Sequence, residues 1–155
     1  HQHDPIILHR DLKSSNVLIS ESWAVKVSDF GLAELRDAQG LPAHCGAIQW
    51  RAPEVSENFF HAAGDVFSFG VTLWELLTRK KPFDGVEPYE VMRLVREGKR
   101  PPIPDSDAAG LQADLIQRCW AHEPTARPTF QQVLEYLKPL IDDDINVMQL
   151  RSHAE

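Results

Sequence analysis

Short apolar runs separated by polar residues fill the first part of the chain, and longer helix-period runs fill the rest. Ile6-Ile7-Leu8, Val17-Leu18-Ile19 and Ala24-Val25-Lys26-Val27 are three such short runs. Their length and β-branched content predict strands, with Ser20-Glu21-Ser22 as a turn between the last two. Residues 31–51 have little periodicity and contain Gly31, Gly40, Pro42 and Gly46, which predicts a long loop. Loops of that length in a compact domain are uncommon and are more often functional. After Pro53 the pattern turns helical. Asp65 to Leu77 is almost continuously apolar, the pattern of a helix buried on all sides. Residues 87–97 place Val91, Leu94 and Val95 on one face, with Gly98 as the stop. Residues 108–121 place Leu111, Leu115, Ile116 and Trp120 together. Thr129 opens a further helix with Gln132 as its capping-box partner. The core face expected there is Phe130, Val133, Leu134 and Leu137, with Pro139 disturbing the end. The acidic run Asp142-Asp143-Asp144 begins a polar tail. The expected fold class is mainly α with short β-hairpins.

Composition agrees with one globular domain. The chain has 155 residues, 43% hydrophobic and 25% charged, enough to bury a core. No apolar run reaches the roughly 20 residues of a membrane helix, and His1-Gln2-His3-Asp4-Pro5 is no signal peptide. With no initiator Met, the chain is expected to be cut from a longer one. The net charge of −7 disfavours a general nucleic-acid binder. Cys45 and Cys119 form no CxxC and no zinc spacing, so free thiols in a reducing, cytoplasmic setting are expected. Cys119 lies in an apolar helical pattern and is expected in the core. Trp23, Trp50, Trp74 and Trp120 are expected as core or wedge residues. Arg79-Lys80-Lys81 reads as a solvated loop rather than a docking patch.

Candidate chemistry concentrates in His9-Arg10-Asp11-Leu12-Lys13-Ser14-Ser15-Asn16. Asp11 and Lys13 are two apart, so an extended backbone points both to one side. A carboxylate there accepts a hydroxyl proton, and an ammonium beside it neutralises a transferring phosphoryl group. Asn16 and Asp29 offer hard oxygens, which suit Mg²⁺. Gly31 allows the chain to turn after Asp29-Phe30. In isolation, Asp11 and Asn16 would read as turn formers.

The order of motifs reverses that reading. The loop resembles the protein-kinase catalytic loop HRDLKxxN, and Asp29-Phe30-Gly31 resembles its DFG. Ala52-Pro53-Glu54 follows, then Asp65 to Gly70, then Cys119-Trp120 and Arg127-Pro128-Thr129-Phe130, all in the family's order. The resemblance covers roughly residues 1–138, with 139–155 as a tail. Lys13-Ser14-Ser15 is the serine/threonine form of the loop. With Trp50 and Cys119-Trp120, it resembles the tyrosine-kinase-like group, the mixed-lineage type being the nearest subgroup.

The resemblance implies a role at each matching position. Asp11 matches the catalytic base and Lys13 the lysine on the γ-phosphate. Asn16 and Asp29 match the magnesium ligands, and Leu18 the residue beneath the adenine. Arg10 matches the arginine that grips an activation-loop phosphate. His9 and Phe30 match an internal stack anchored by Asp65. Glu54 and Arg127 match a buried ion pair, whose breaking costs roughly 3–5 kcal/mol. ATP and Mg²⁺ are the implied cofactors, and a protein hydroxyl the implied substrate.

Three departures qualify this. The residues present are those of the large lobe. No GxG pair occurs among the eight glycines, so the small lobe's Gly-rich loop is absent, as are its lysine and glutamate. Lys26 belongs to the strand leading into Asp29 and is a decoy for that lysine. Ala47 stands where serine/threonine members usually carry Thr, whose hydroxyl helps hold Asp11 and Lys13. No Ser, Thr or Tyr occurs between Phe30 and Val55, so either Glu34 or Asp37 replaces an activating phosphate as a fixed anion or the segment is never locked in that way. Two functions compete: part of a protein serine/threonine kinase, inactive as the 155 residues alone, or a pseudokinase or scaffold module using the same lobe.

Overall fold

A computed structural model describes residues 7–32, 34–35, 47–57, 62–104 and 110–139. Its architecture is helical with two small strand pairs. Strand β1 (Ile7–Leu8) pairs antiparallel with β4 (Glu34–Leu35). Strands β2 (Val17–Ile19) and β3 (Val25–Val27) form a hairpin in the register Val17↔Val27, Leu18↔Lys26, Ile19↔Val25. The turn between them closes with the Trp23 N–H donating to the Ser20 carbonyl. Short 3₁₀ turns follow at Ser14–Asn16, Phe30–Leu32, Ile48–Trp50, Pro53–Glu57 and Pro124–Ala126. The helices are α1 (Ala62–Thr78), α2 (Pro88–Arg96), α3 (Gly110–Cys119) and α4 over residues 130–139.

Helix α1 is the axis of the core, and its first turns are buried on every side, as its continuous apolar pattern requires. One side places Phe67, Val71 and Trp74 with Val91, Val95, Ile116 and Trp120. The other places Val66 with Leu115, Cys119 and Val133. Gly70 sits where α1 meets α3, and a Cβ there would lie 2.8 Å from the Cys119 Cβ. Burial pushes the Cys119 thiol up to about 12, which keeps it protonated and inert.

Local signals set the helix ends. Pro88 opens α2 in the first turn. Gly98, at φ +80°, closes it: its N–H reaches the Val95 carbonyl and the Lys99 N–H reaches that of Leu94, a Schellman motif. The Thr129–Gln132 capping box forms in both directions, at 2.8 and 3.2 Å.

Some expectations need correction. The stretch 31–51 is not all loop, because Glu34–Leu35 completes the β1 pair; two residues are too few to show a period. Trp23 is 82% exposed at a hairpin tip with no second layer above it, so it is neither core nor wedge. Leu76 is exposed near the C-terminal end of α1. Leu111 is exposed in the first turn of α3, beyond the face that packs on α1. Leu134 is exposed as well, and Tyr136 and Leu137 supply the contacts expected of it. Cys45, Asp37, His1, His3 and the run Asp142–Asp144 lie outside the described residues.

Candidate functional site

The loop after β1 folds around its own carboxylate. Lys13 is extended (φ −159°, ψ 165°), so Asp11 and Lys13 share a side while Leu12 between them is buried. The Lys13 ammonium donates to Asp11 Oδ2 at 2.6 Å. The 3₁₀ turn Ser14–Asn16 then swings Asn16 back. Its Nδ2 donates to the Asp11 carbonyl at 2.8 Å and to Asp11 Oδ2 at 3.2 Å. The other carboxylate oxygen accepts from the backbone N–H of Ala47 at 2.9 Å. Burial opposes ionisation of Asp11. The Lys13 ammonium, the Ala47 N–H and the Asn16 amide together outweigh it and hold the carboxyl below its ordinary value. A proton acceptor is therefore kept charged and aimed by three separate donors.

The hairpin brings in the second carboxylate. Extending its register by one step sets Asn16 opposite Ser28, and the Ser28 N–H and Oγ–H both donate to the Asn16 carbonyl, at 2.8 and 3.0 Å. Asp29 thus emerges beside Asn16, although they lie thirteen positions apart in sequence. Asp29 adopts φ +63°, a left-handed conformation that Asp tolerates better than most residues. Gly31 leaves room for it, since a Cβ there would lie 3.2 Å from Asp29 Oδ1. With Asn16 Nδ2 turned to Asp11, its Oδ1 faces away from that bond. Among the described residues no three His, Cys, Asp or Glu side chains gather as a metal cluster. One amide oxygen and one carboxylate nonetheless fit magnesium, which takes few protein ligands and completes its shell with phosphates and water.

Behind the loop, Asp65 of α1 accepts from two consecutive backbone N–H groups, His9 at 2.7 Å and Arg10 at 2.9 Å. That grip accompanies the left-handed backbone of Arg10, φ +69°. Burial raises the Asp65 carboxyl above its ordinary value, against these two bonds. His9 Nε2 donates to the Ser28 carbonyl at 3.0 Å, and Nδ1 accepts from the Asp11 N–H at 3.3 Å. Together these bonds assign the ring proton to Nε2. The His9 ring also meets Phe30, with centroids 4.8 Å apart. Asp65, His9 and Phe30 therefore tie α1, the polar loop and the segment after β3 into one unit.

Further out, Arg127 meets Glu54 in a two-pronged pair at 2.6 and 2.8 Å. The same guanidinium donates to the carbonyls of Ala63, Ala121 and His122. It lies 5.0 Å from the Phe67 ring centroid, and Arg100 lies 4.8 Å from it. Leu18 and Phe30 are both more than half exposed, so the hairpin's outer surface is apolar and open.

The structure thus gathers Asp11, Lys13, Asn16, Asp29, His9, Phe30, Gly31 and Asp65, and it pairs Glu54 with Arg127. Arg10 lies at the edge of this group, but residues 36–46, and the Glu34 side chain, are outside what is described. Ala47 was singled out in sequence for lacking a threonine hydroxyl, yet it holds Asp11 through a backbone N–H that any residue but Pro supplies. One contributor was not legible in sequence. Ser28 acts through a position fixed only by hairpin register.

A family model described as protein tyrosine and serine/threonine kinase matches residues 2–137. The probable serine/threonine-protein kinase drkD of Dictyostelium discoideum is 41% identical over 144 residues, covering 92% of this chain and 11% of that protein. The probable serine/threonine-protein kinase drkA of the same organism is 43% identical over 143 residues, with 90% and 22% covered. The serine/threonine-protein kinase STY46 of Arabidopsis thaliana is 42% identical over 142 residues, with 89% and 24% covered. The chain therefore spans between 11% and 24% of the length of these relatives. The ordered motifs, the site they build and a match over most of the chain lead to one conclusion: this chain belongs to the protein tyrosine and serine/threonine kinase family.

Proposed function

We propose that this chain is the catalytic-loop lobe of a protein serine/threonine kinase that transfers the γ-phosphoryl group of MgATP to a protein hydroxyl. One observation carries the reading: Asp11 is held charged by Lys13, Asn16 and the Ala47 N–H. Asp11 orients that hydroxyl and takes its proton as the oxygen bonds to phosphorus and the bond to the ADP oxygen breaks. Lys13 offsets charge on the moving phosphoryl group. Asn16 and Asp29 would hold magnesium, which would supply positive charge against the nucleotide's phosphates. Leu18 would lie under the adenine. The names of the relatives and Lys13-Ser14-Ser15 support serine/threonine specificity; the same loop with Trp50 and Cys119-Trp120 supports a place in the tyrosine-kinase-like group, and two cysteines without CxxC or zinc spacing support a reducing, cytoplasmic setting.

The 155 residues alone are expected to lack phosphotransfer, because one lobe leaves the nucleotide open to water on one side. The decisive experiment is a radiolabelled phosphate-transfer assay on the full-length protein. Asp11→Asn should lower the rate by about 100-fold or more. Equal signal from both proteins would sink the proposal.

A second reading, a pseudokinase or scaffold module, draws on the hydroxyl-free stretch from Phe30 to Val55 and on Ala47. The contact from Ala47 to Asp11 weakens it, since the backbone still orients the carboxylate without a threonine hydroxyl.

A further inference from the structure

The chain is acidic overall, yet one concave surface is not. Beyond the C-terminal end of α1, an open groove of about 570 Å³ is lined by Arg79, Lys80, Lys81, Arg100, Trp74 and Phe83, with Asp84 as the acidic member. Residues 79–104 carry seven basic and four acidic side chains, against −7 for the whole chain.

Cations after a helix C-terminus are ordinary, since they complement its dipole. Here two separate segments supply them. Arg79 ends α1 at φ +57°, its N–H on the Glu75 carbonyl, and Thr78 Oγ accepts from the Lys80 N–H. The loop then folds tightly, with Phe83 at φ +51° and the Val86 N–H on its carbonyl. Arg100 comes from the segment after α2. Its Nε and Nη1 are spent on the carbonyls of Trp120, Val95 and Lys99, which fixes the guanidinium in place. The Trp74 indole N–H donates to the Pro102 carbonyl at 2.9 Å and locks that segment to α1. The side chains of Lys80 and Lys81 make no hydrogen bond or ion pair among the described residues. Burial pushes Arg100 down to about 10, with Arg127 adding to the shift and Glu54 opposing it.

We propose that this groove is a docking site for a short acidic peptide segment of a partner protein, carboxylates meeting Lys80, Lys81 and Arg100 and apolar side chains meeting Phe83, over a floor formed by the buried Trp74. The space is far larger than a single phosphate needs and is walled by aromatic as well as cationic groups. A long nucleic acid is disfavoured by the acidic remainder of the surface. The site does not depend on the phosphotransfer reading, because its test is binding alone.

The probe is a fluorescein-labelled peptide of alternating glutamate and leucine, titrated with the full-length protein and followed by anisotropy. Lys80→Glu with Lys81→Glu should weaken binding by about tenfold or more. Lys26→Glu with Lys138→Glu makes the same net change far from the groove and should cost less than about twofold. A peptide with serine in place of leucine should bind more weakly. All of these side chains are exposed and unpaired, so the variants should keep the wild-type circular dichroism. Absence of saturable binding would overturn the proposal, as would equal loss in both double variants. It also fails if inorganic tripolyphosphate binds better than the peptide and the serine peptide binds undiminished, which would mark a phosphate site instead.

Discussion

Asp11 illustrates how much one side chain owes to donors that a sequence does not display. Lys13 and Asn16 were legible as its neighbours, because spacing and polarity announce them. The Ala47 N–H was not, and it holds the second carboxylate oxygen at 2.9 Å. Ala47 sits at φ −75°, which a proline ring accepts, so Ala47→Pro removes that donor with little backbone strain. The Asp11 carboxyl should then rise toward its ordinary value. In the full-length protein the acid limb of kcat/KM should move to higher pH and kcat should fall roughly tenfold, while Ala47→Gly, which keeps the N–H, leaves the limb in place. A second titration lies in the core. The Cys119 thiol ionises near 9 when unfolded and at about 12 when folded. The unfolded chain therefore loses its proton first, and stability falls as pH rises through that window. At pH 10 the loss is about 1 kcal/mol, and urea denaturation of Cys119→Ala should show a pH dependence smaller by that amount.

Among the elements, α1 was the most legible, because a helix apolar on all sides has few alternatives. Its Gly70, by contrast, reads in sequence as a weak point that alanine would improve by about 1 kcal/mol. The packing reverses the sign. A Cβ at 70 would meet the Cys119 Cβ at 2.8 Å and the Trp120 N at 3.2 Å, and backbone atoms of α3 cannot swing aside. Gly70→Ala should destabilise by about 1–3 kcal/mol in denaturant titration. An unchanged or higher midpoint would mean that α1 and α3 part more easily than their contact implies. Helix α4 teaches a related lesson: its cap was readable to the residue, but which of Leu134, Tyr136 and Leu137 packs inward depended on where α1 and α3 lie.

In the molecule as a whole, burial is uneven. The helices enclose a core on both sides of α1, whereas the β2–β3 hairpin presents Ile19, Val25 and Val27 on one exposed face, Ile19 and Val25 directly opposite each other. Contiguous exposed apolar surface marks an interaction face or an aggregation risk. The isolated chain should bind a hydrophobic dye and self-associate at high concentration. Ile19→Thr with Val25→Thr should reduce both without lowering the unfolding midpoint, since neither side chain belongs to either core cluster. No helix of the described residues is long and apolar enough to cross a membrane.

Periodicity, caps and ordered motifs act over a few residues, so the sequence already specified the helices, the hairpin, the candidate base Asp11 and its family. Tertiary structure decided what depends on distance through space. Hairpin register brought Ser28 and Asp29 to Asn16, and Asp65 reached the backbone of His9 and Arg10 from α1. The left-handed turn at Arg79 and the tether of Trp74 to Pro102 set Arg100 across from Lys80 and Lys81. Backbone donors, positive-φ residues and cations from distant segments leave no periodic trace along the chain, because they acquire meaning only when another element arrives beside them.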